Sequence, residues 1–283
     1  MTQITSLHLS DSHLRVLVLS KEPEGLVMNV CKSFALPDPS PDLKKLEIEK
    51  HIPQTSKTLV VTLGGGLFHI QRVPLEVASE ADRQAQIDWE ASQVLIESID
   101  HYIINFHPSG RIAFWTAIRK EITQAYSDYF TDLGFDTITF MPEPLALYAL
   151  SKCNHAATSH GAIWLGNNWG SFVAATNNTL TTAETVNIQH RLHSESRNLT
   201  QIRHWIQGDL SSERRRPIFD HVLFCGEAEP LAALSRFASE FKSPHIVPFQ
   251  ISDHPIQIPP DVRGNQELHP FALALGAAFS QVS

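Results

Sequence analysis

Twice along this chain, an apolar strand, a short polar turn and a second strand open a run of alternating strands and helices. The first start is "LHLSDSHLRVLVLS" at 7–20, turned at Ser10, Asp11, Ser12 and His13. The second is "AIWLG" at 162–166, a turn, then "SFVAATNNTLTTAETVNI" at 171–188. A hairpin that leads into strand–helix alternation commits its half to an α/β layer, because parallel strands need crossovers and the crossover helices cover the sheet. Two such starts predict two lobes of one design, although no sequence identity is visible between the halves. A chain of 283 residues with 42% hydrophobic content is long enough to bury both cores.

Between the two starts the signals alternate. "LVMNVCKSFALP" (26–37) reads as a strand after the turn "KEPEG", and the Pro-rich "PDPSPDLKK" leads into a short helix near 41–50. "TLVVTL" (58–63) is a buried strand and "LFHIQRVPL" (67–75) an alternating one. The intervening Gly64–Gly66 has no following Lys-Ser/Thr and precedes no helix, so it reads as a tight hairpin turn and not as a phosphate loop. Residues 78–95 carry a capping box, with Ser79 three residues before Asp82. Residues 101–118 read as a hairpin turned at Pro108-Ser109-Gly110. The helix at 119–135 sets Ile122, Ala125, Tyr126, Tyr129, Phe130 and Leu133 on one face and ends at Gly134. A strand (136–141) and a helix (142–152) follow, and the small, polar "CNHAATSHG" (153–161) marks a lobe boundary. Beyond the second start, helices at about 194–210 and 230–241 alternate with strands at 221–226 and 245–250, and an apolar helix closes the chain at 269–281.

Composition excludes several function classes. A net charge of −8 disfavours nucleic acid and anionic membranes as partners. The basic run "SSERRRP" (211–217) reads as a solvated loop. Cys31, Cys153 and Cys225 are widely spaced and odd in number, which suits reduced thiols of a cytoplasmic protein and no metal or redox motif. The fifteen histidines form no HxxxH or HExxH pattern. The start "MTQITSLHLS" has no signal-peptide form, and no apolar run approaches the roughly 20 residues of a membrane span. The sequons at Asn177 and Asn198 then carry no meaning.

Six segments in order resemble the PilM-like family of type IV pilus assembly and type II secretion proteins, within the actin-like ATPase superfamily. They are "RVPL" (72–75), "QIDWEASQ" (86–93), "TAIRKEITQAYSDYFTDLGFD" (116–136), "EPLALYAL" (143–150), "LFCGEAEPLAAL" (223–234) and "PFALALGAAF" (270–279). The resemblance implies a two-lobed actin-like fold of ribonuclease H-like repeats. Residues 1–152 would form the first lobe, with an inserted subdomain at about 33–115. Residues 153–268 would form the second lobe, and 269–283 a helix returning toward the first.

In that family two hairpin turns bring backbone amides to the phosphates of ATP. An aspartate beside each turn organises magnesium, and a Gly-Gly loop receives the adenosine. Carried over to this chain, the first aspartate position is His8 and its glycine Ser10, with Ser12 in the turn and Arg15 in place of a lysine. The second aspartate position is Trp164, followed by Gly166, Asn167 and Asn168. The third loop keeps Gly226 but has Glu227 where its second glycine would be. Asp11, two residues on from Leu9, is the carboxylate left near the first loop.

Ser10, Asp11, Ser12, Arg15, Gly166, Asn167, Asn168, Gly226 and Glu227 therefore mark a vestigial nucleotide cleft, with no catalytic and no metal-binding residue assigned. Without its magnesium partners, phosphoryl transfer lacks its main electrostatic support. The resulting expectation is a cytoplasmic pseudo-ATPase, peripheral to the inner membrane through its partners. It would bind the cytoplasmic tail of a single-span platform protein, with an assembly ATPase motor as a second contact. Strand addition near "LFHIQRV" is one route for the tail. The competing readings are an ATP-binding switch or weak ATPase using Asp11, Arg15 and Asn167, and a sugar or acetate kinase relative, which would need the phosphate loops intact. For Glu143, at the head of a helix, a buried ion pair between the lobes and a helix N-terminal charge both remain open.

Overall fold

The computed structural model describes residues 2–10, 12–36, 48–53, 56–75, 79–155, 159–188, 219–227, 245–254, 256–263 and 268–281. The first start gives β1 (Thr2–Leu9), β2 (His13–Glu22) and β3 (Gly25–Ala35), followed by β4 (Thr58–Leu63) and β5 (Phe68–Pro74). Then come α1 (Glu80–Val94), β6 (Tyr102–Ser109), β7 (Ile112–Arg119), α2 (Lys120–Asp132), β8 (Thr137–Pro142) and α3 (Glu143–His155). The second start gives β9 (Ser159–Leu165), β10 (Trp169–Thr176) and β11 (Thr179–Asn187). β12 (His221–Gly226), β13 (His245–Pro248), β14 (Ile256–Gln257) and α4 (Ala272–Phe279) follow, with a single helical turn at Pro260–Arg263 before α4.

The two predicted lobes share one topology. The first sheet runs β14-β3-β2-β1-β4-β8 and the second β11-β10-β9-β12-β13. Apart from β14, each sheet has its hairpin strands antiparallel and its next two strands parallel to the first, so the order and directions match strand for strand. The runs of the first sheet are apolar on both faces because helices and the other layers cover it: Val16, Leu17, Val18, Leu59, Val60 and Val61 are all buried. α3 packs on α4 beneath both sheets, with Ala146, Leu147, Leu150 and all of Ala272–Phe279 buried.

A third sheet, ordered β5-β7-β6, carries α1 on one face. Ile87 and Ala91 of α1 cover Val73, Ala113, Trp115 and Ala117. The cap of α1 forms as the sequence indicated, with the Ser79 hydroxyl accepting from the Asp82 amide. This sheet lies between β4 and β8 in the chain, at 68–119. The segment 33–115 is therefore not one insertion, because residues 33–35 end β3 and 58–63 form β4, both in the first sheet. Likewise β14 at 256–257 pairs with β3, so the chain returns to the first sheet well before 269.

Other expectations shift by smaller amounts. Gly64–Gly66 is not a hairpin turn: β4 and β5 lie in different sheets, and the glycines form a short 3-10 turn that redirects the chain between them. On α2 the expected face packs with Phe130 buried and Tyr126, Tyr129 and Leu133 against the core, but Ala125 is exposed and Thr123 is buried instead. Of the helix predicted near 41–50, the described part is a 3-10 turn at Ile48–His51. The helices predicted at 194–210 and 230–241 and the basic run at 211–217 lie outside the described residues.

All three cysteines are free thiols. Burial pushes the Cys31 thiol up to about 12, against a partial lowering by Lys32 and Arg15. Burial, and secondarily the Glu143 carboxylate, push Cys225 higher still. Cys153 is exposed, although partial burial of its thiol also raises its pKa. Since the thiolate is the reacting form, a disulfide exchange reagent at pH 8 should titrate one slow thiol in the native protein. It should titrate all three of Cys31, Cys153 and Cys225 after denaturation, and rapid native labelling of a second thiol would contradict this packing.

Candidate functional site

The turns of the two duplicated hairpins face each other, and the space between them is crossed by side chains. His8, near the end of β1, is fully buried and donates from Nε2 to Glu143 Oε1 at 2.9 Å. The other carboxylate oxygen, Oε2, accepts from the Ser171 hydroxyl of β10, also at 2.9 Å. Glu143 thus joins the first sheet to the second through two hydrogen bonds. It also heads α3, where its charge faces the positive end of the helix dipole. The helix N-terminal position is as expected, and the contact between lobes is made through hydrogen bonds to an imidazole and a hydroxyl.

A second cross-link lies beside the first. Arg15 of β2 places Nη2 at 2.5 and 2.6 Å from the two carboxylate oxygens of Glu227, which follows β12. Both side chains are nearly dry, with side-chain exposures of 2% and 10%. Trp164 of β9 fills the space between the pairs. His8 meets its ring edge-on at 5.0 Å between centroids, and the Arg15 guanidinium lies 5.9 Å from its ring centre. The two positions where the resemblance expects magnesium-organising aspartates are therefore a histidine and an indole in contact with each other.

The turns themselves are also tied. The Ser10 hydroxyl donates to the His13 carbonyl and accepts from the His13 amide, both at 3.0 Å, so it is committed to its own turn. Ser12 Oγ accepts from Asn167 Nδ2 at 2.9 Å, joining the first turn to the second. The Gly166 amide closes the second turn on the Trp169 carbonyl. Asn168 is exposed, and its carbonyl accepts from the Ile188 amide. At Gly226 a Cβ would strike the backbone of Leu165, so the third loop must pass that strand as glycine, and the Glu227 amide then bonds the Leu165 carbonyl at 2.7 Å. Asp11 lies outside the described residues.

Sequence reasoning missed how the glycine run is used. A Cβ on Gly65 would lie 2.5 Å from the Trp169 indole, and one on Gly64 2.6 Å from Glu143 Oε1. Gly64–Gly66 is the seat on which Trp169, at the start of β10, crosses from the second lobe. Trp169 and Ser171 are two residues apart on one strand and so share a face. That alternation was the available signal, but only with the lobes docked does it point at the glycines and Glu143.

A scan of protein-family models finds no match to this chain, and a comparison with curated proteins finds none either. Solved structures do match along its whole length. One is a PilM-PilN type IV pilus biogenesis complex, at 14% identity, covering 99% of this chain and 98% of that one, with a TM-score of 0.78. Another is a Bacteroides thetaiotaomicron protein of unknown function with an actin-like ATPase fold, at 10% identity, 97% and 96% coverage and a TM-score of 0.59. This chain has the actin-like ATPase fold. The cytoplasmic domain of EpsL, an inner-membrane component of the Vibrio cholerae type II secretion system, shares that fold with it at 13% identity, 100% and 96% coverage and a TM-score of 0.56. The bonds of Arg15 to Glu227, of Ser12 to Asn167 and of Glu143 to Ser171, with the packing of Trp169 on Gly65, therefore all cross between the two lobes. Among the described residues no helix is long and apolar enough to cross a membrane.

Proposed function

We propose that this protein is a scaffold subunit of a pilus or secretion-type assembly at the inner membrane, holding the cytoplasmic tail of a membrane protein without hydrolysing ATP. The observation that carries this reading is the closed set of inter-lobe bonds in the cleft, above all Arg15 with Glu227 and His8 with Glu143 and Ser171. A magnesium triphosphate needs carboxylates for its metal and free backbone amides for its phosphates. Here an indole and an imidazole occupy the metal-organising positions, and the third loop presents the Glu227 carboxylate. These residues do not fit the nucleotide. They suit lobes held in one arrangement, which is what a docking platform requires.

The tail's place in this reading is the edge of β5. Among the described residues β5 pairs only with β7, and β11 only with β10, leaving two strand edges across a groove of about 370 Å³ lined by Ile70, Arg72, Phe114, Thr182 and Glu184. An extended tail would add to β5 through its main chain, with alternate side chains entering the groove. β5 and β11 already come within 8 Å in Cα separation. A strand between two strands needs flanks about 9.6 Å apart, so entry of a tail would part the two edges slightly.

One thermal-unfolding series tests both halves of the reading. The ligands are magnesium-ATP and a synthetic peptide copied from the cytoplasmic tail of a candidate single-span partner protein. A ligand at about 100 times its Kd adds about 2.7 kcal/mol, which for a chain of this size is roughly 5–10 °C. The tail peptide should give such a rise and magnesium-ATP none. A saturable, magnesium-dependent rise with ATP would overturn the non-hydrolysing half, and a flat response to the tail would overturn the scaffold half.

A further inference from the structure

The outward face of α1 takes no part in the cleft or the β5 groove. Ile87 and Ala91 point into the small sheet's core, and Ala85, Trp89 and Ser92, at intervals of four and three, lie on the opposite side. Trp89 is 62% exposed, Val94 at the helix end is exposed, and Ile96 just beyond it is fully so. A tryptophan this exposed on the outward face of a helix, with Ile96 exposed just past the helix end, is an unusual surface and marks a contact.

The charge along this segment is mostly negative. Between residues 80 and 100 stand Glu80, Asp82, Asp88, Glu90, Glu97 and Asp100 against a single arginine, Arg83. Asp88 accepts a hydrogen bond from the neutral Gln84, so its charge is retained, and Glu97 is paired with Arg119 of β7. Asp88 and Glu90 flank Trp89 on either side. An exposed indole bordered by carboxylates repels an anionic lipid surface, and it repels its own copy for the same reason. It attracts a segment whose apolar side chains are bordered by Lys or Arg. Because the indole stands on the outward face of a helix, the matching form is a second helix packed alongside it.

We infer that the outer face of α1, centred on Trp89 with Asp88 and Glu90, docks a cationic amphipathic helix of a partner protein. The inference is independent of the tail groove and of the state of the cleft. Its test uses the full chain and a labelled synthetic Leu/Lys amphipathic helix of about 18 residues, or 27 Å, followed by fluorescence anisotropy. The Leu/Glu counterpart of the peptide and phosphatidylglycerol-containing vesicles are run in parallel. Trp89→Ser and the double change Asp88→Asn/Glu90→Gln should each weaken binding of the Leu/Lys peptide by about tenfold or more, as for a buried aromatic anchor or a desolvated charge pair. The double change Glu22→Gln/Glu24→Gln, at the β2–β3 turn, should leave it unchanged. The Leu/Glu peptide and the vesicles should not bind. Losses equal to those of the Glu22/Glu24 control would overturn the inference, as would vesicle binding that depends on Trp89. A change in oligomeric mass on Trp89→Ser would overturn it too, by assigning the face to a second copy.

Discussion

Glu227→Ala should lower the unfolding free energy by about 3–5 kcal/mol, the usual loss when one partner of a buried ion pair is deleted. Removing Glu227 leaves the Arg15 guanidinium 1% exposed, with Nε and Nη1 already lacking a hydrogen-bond partner among the described residues. The face of Trp164 is the remaining attraction and is a weak substitute. In a thermal melt the loss corresponds to roughly 10 °C for a domain of this size. The informative comparison is Arg15→Met with Glu227→Leu together. Replacing both charges with apolar side chains of similar bulk removes the desolvation cost along with the bond, and such exchanges fall within about 1–2 kcal/mol of the parent. If the single change is severe and the double change mild, the pair's role is to fix how the lobes meet and not to add net stability. Hydrogen exchange should then rise in Glu227→Ala at Ser12, Asn167 and Gly65, which the same closure holds together. Equal stability of Glu227→Ala and wild type would mean that the pair is open in solution.

The two hairpin starts were legible because β2 and the end of β9 are runs of apolar residues that adjoin short polar turns, and such runs depend on local pattern alone. α1 was legible from its cap, since Ser79 and Asp82 interact within one turn. What could not be read were bonds set by docking. Arg15 and Glu227 are 212 residues apart, and they meet only because both sheets have the same register and face one another. The family resemblance assigned both residues to loops around a nucleotide and left them unpaired. Gly64–Gly66 was misread for a related reason. A glycine run signals permissive backbone or close approach, and nothing local says which. The approaching group, Trp169, arrives from the other lobe. The small sheet was displaced in the reading because β4 and β5 are nearly continuous in sequence, and only strand pairing assigns them to different layers.

His8→Asp, which installs the aspartate that the family resemblance expects at this position, should destabilise the protein in a pH-dependent way and should not create a metal site. His8 Nε2 now donates to Glu143. An aspartate there brings a second carboxylate into the same dry pocket, and two such groups cannot both ionise without a large cost. One carboxyl of the pair will therefore titrate well above its unfolded value of roughly 4. The sign follows from proton binding. Between the unfolded and folded pKa values the native state holds a proton that the unfolded chain has lost, so stability falls as pH rises through that window. A shift of about three units is worth about 4 kcal/mol, so urea melts should find His8→Asp weakest at pH 8 and recovering toward pH 5. His8→Asn can still donate to Glu143 and should show a smaller loss with no added slope. Millimolar magnesium should not rescue His8→Asp, because Trp164 offers no second carboxylate to hold the ion. Rescue by magnesium would show that the cleft can still be assembled around a metal, and that the imidazole is an optional occupant of the position. The expected failure would instead make His8 the group that lets Glu143 be buried and bonded to both lobes with no cation present.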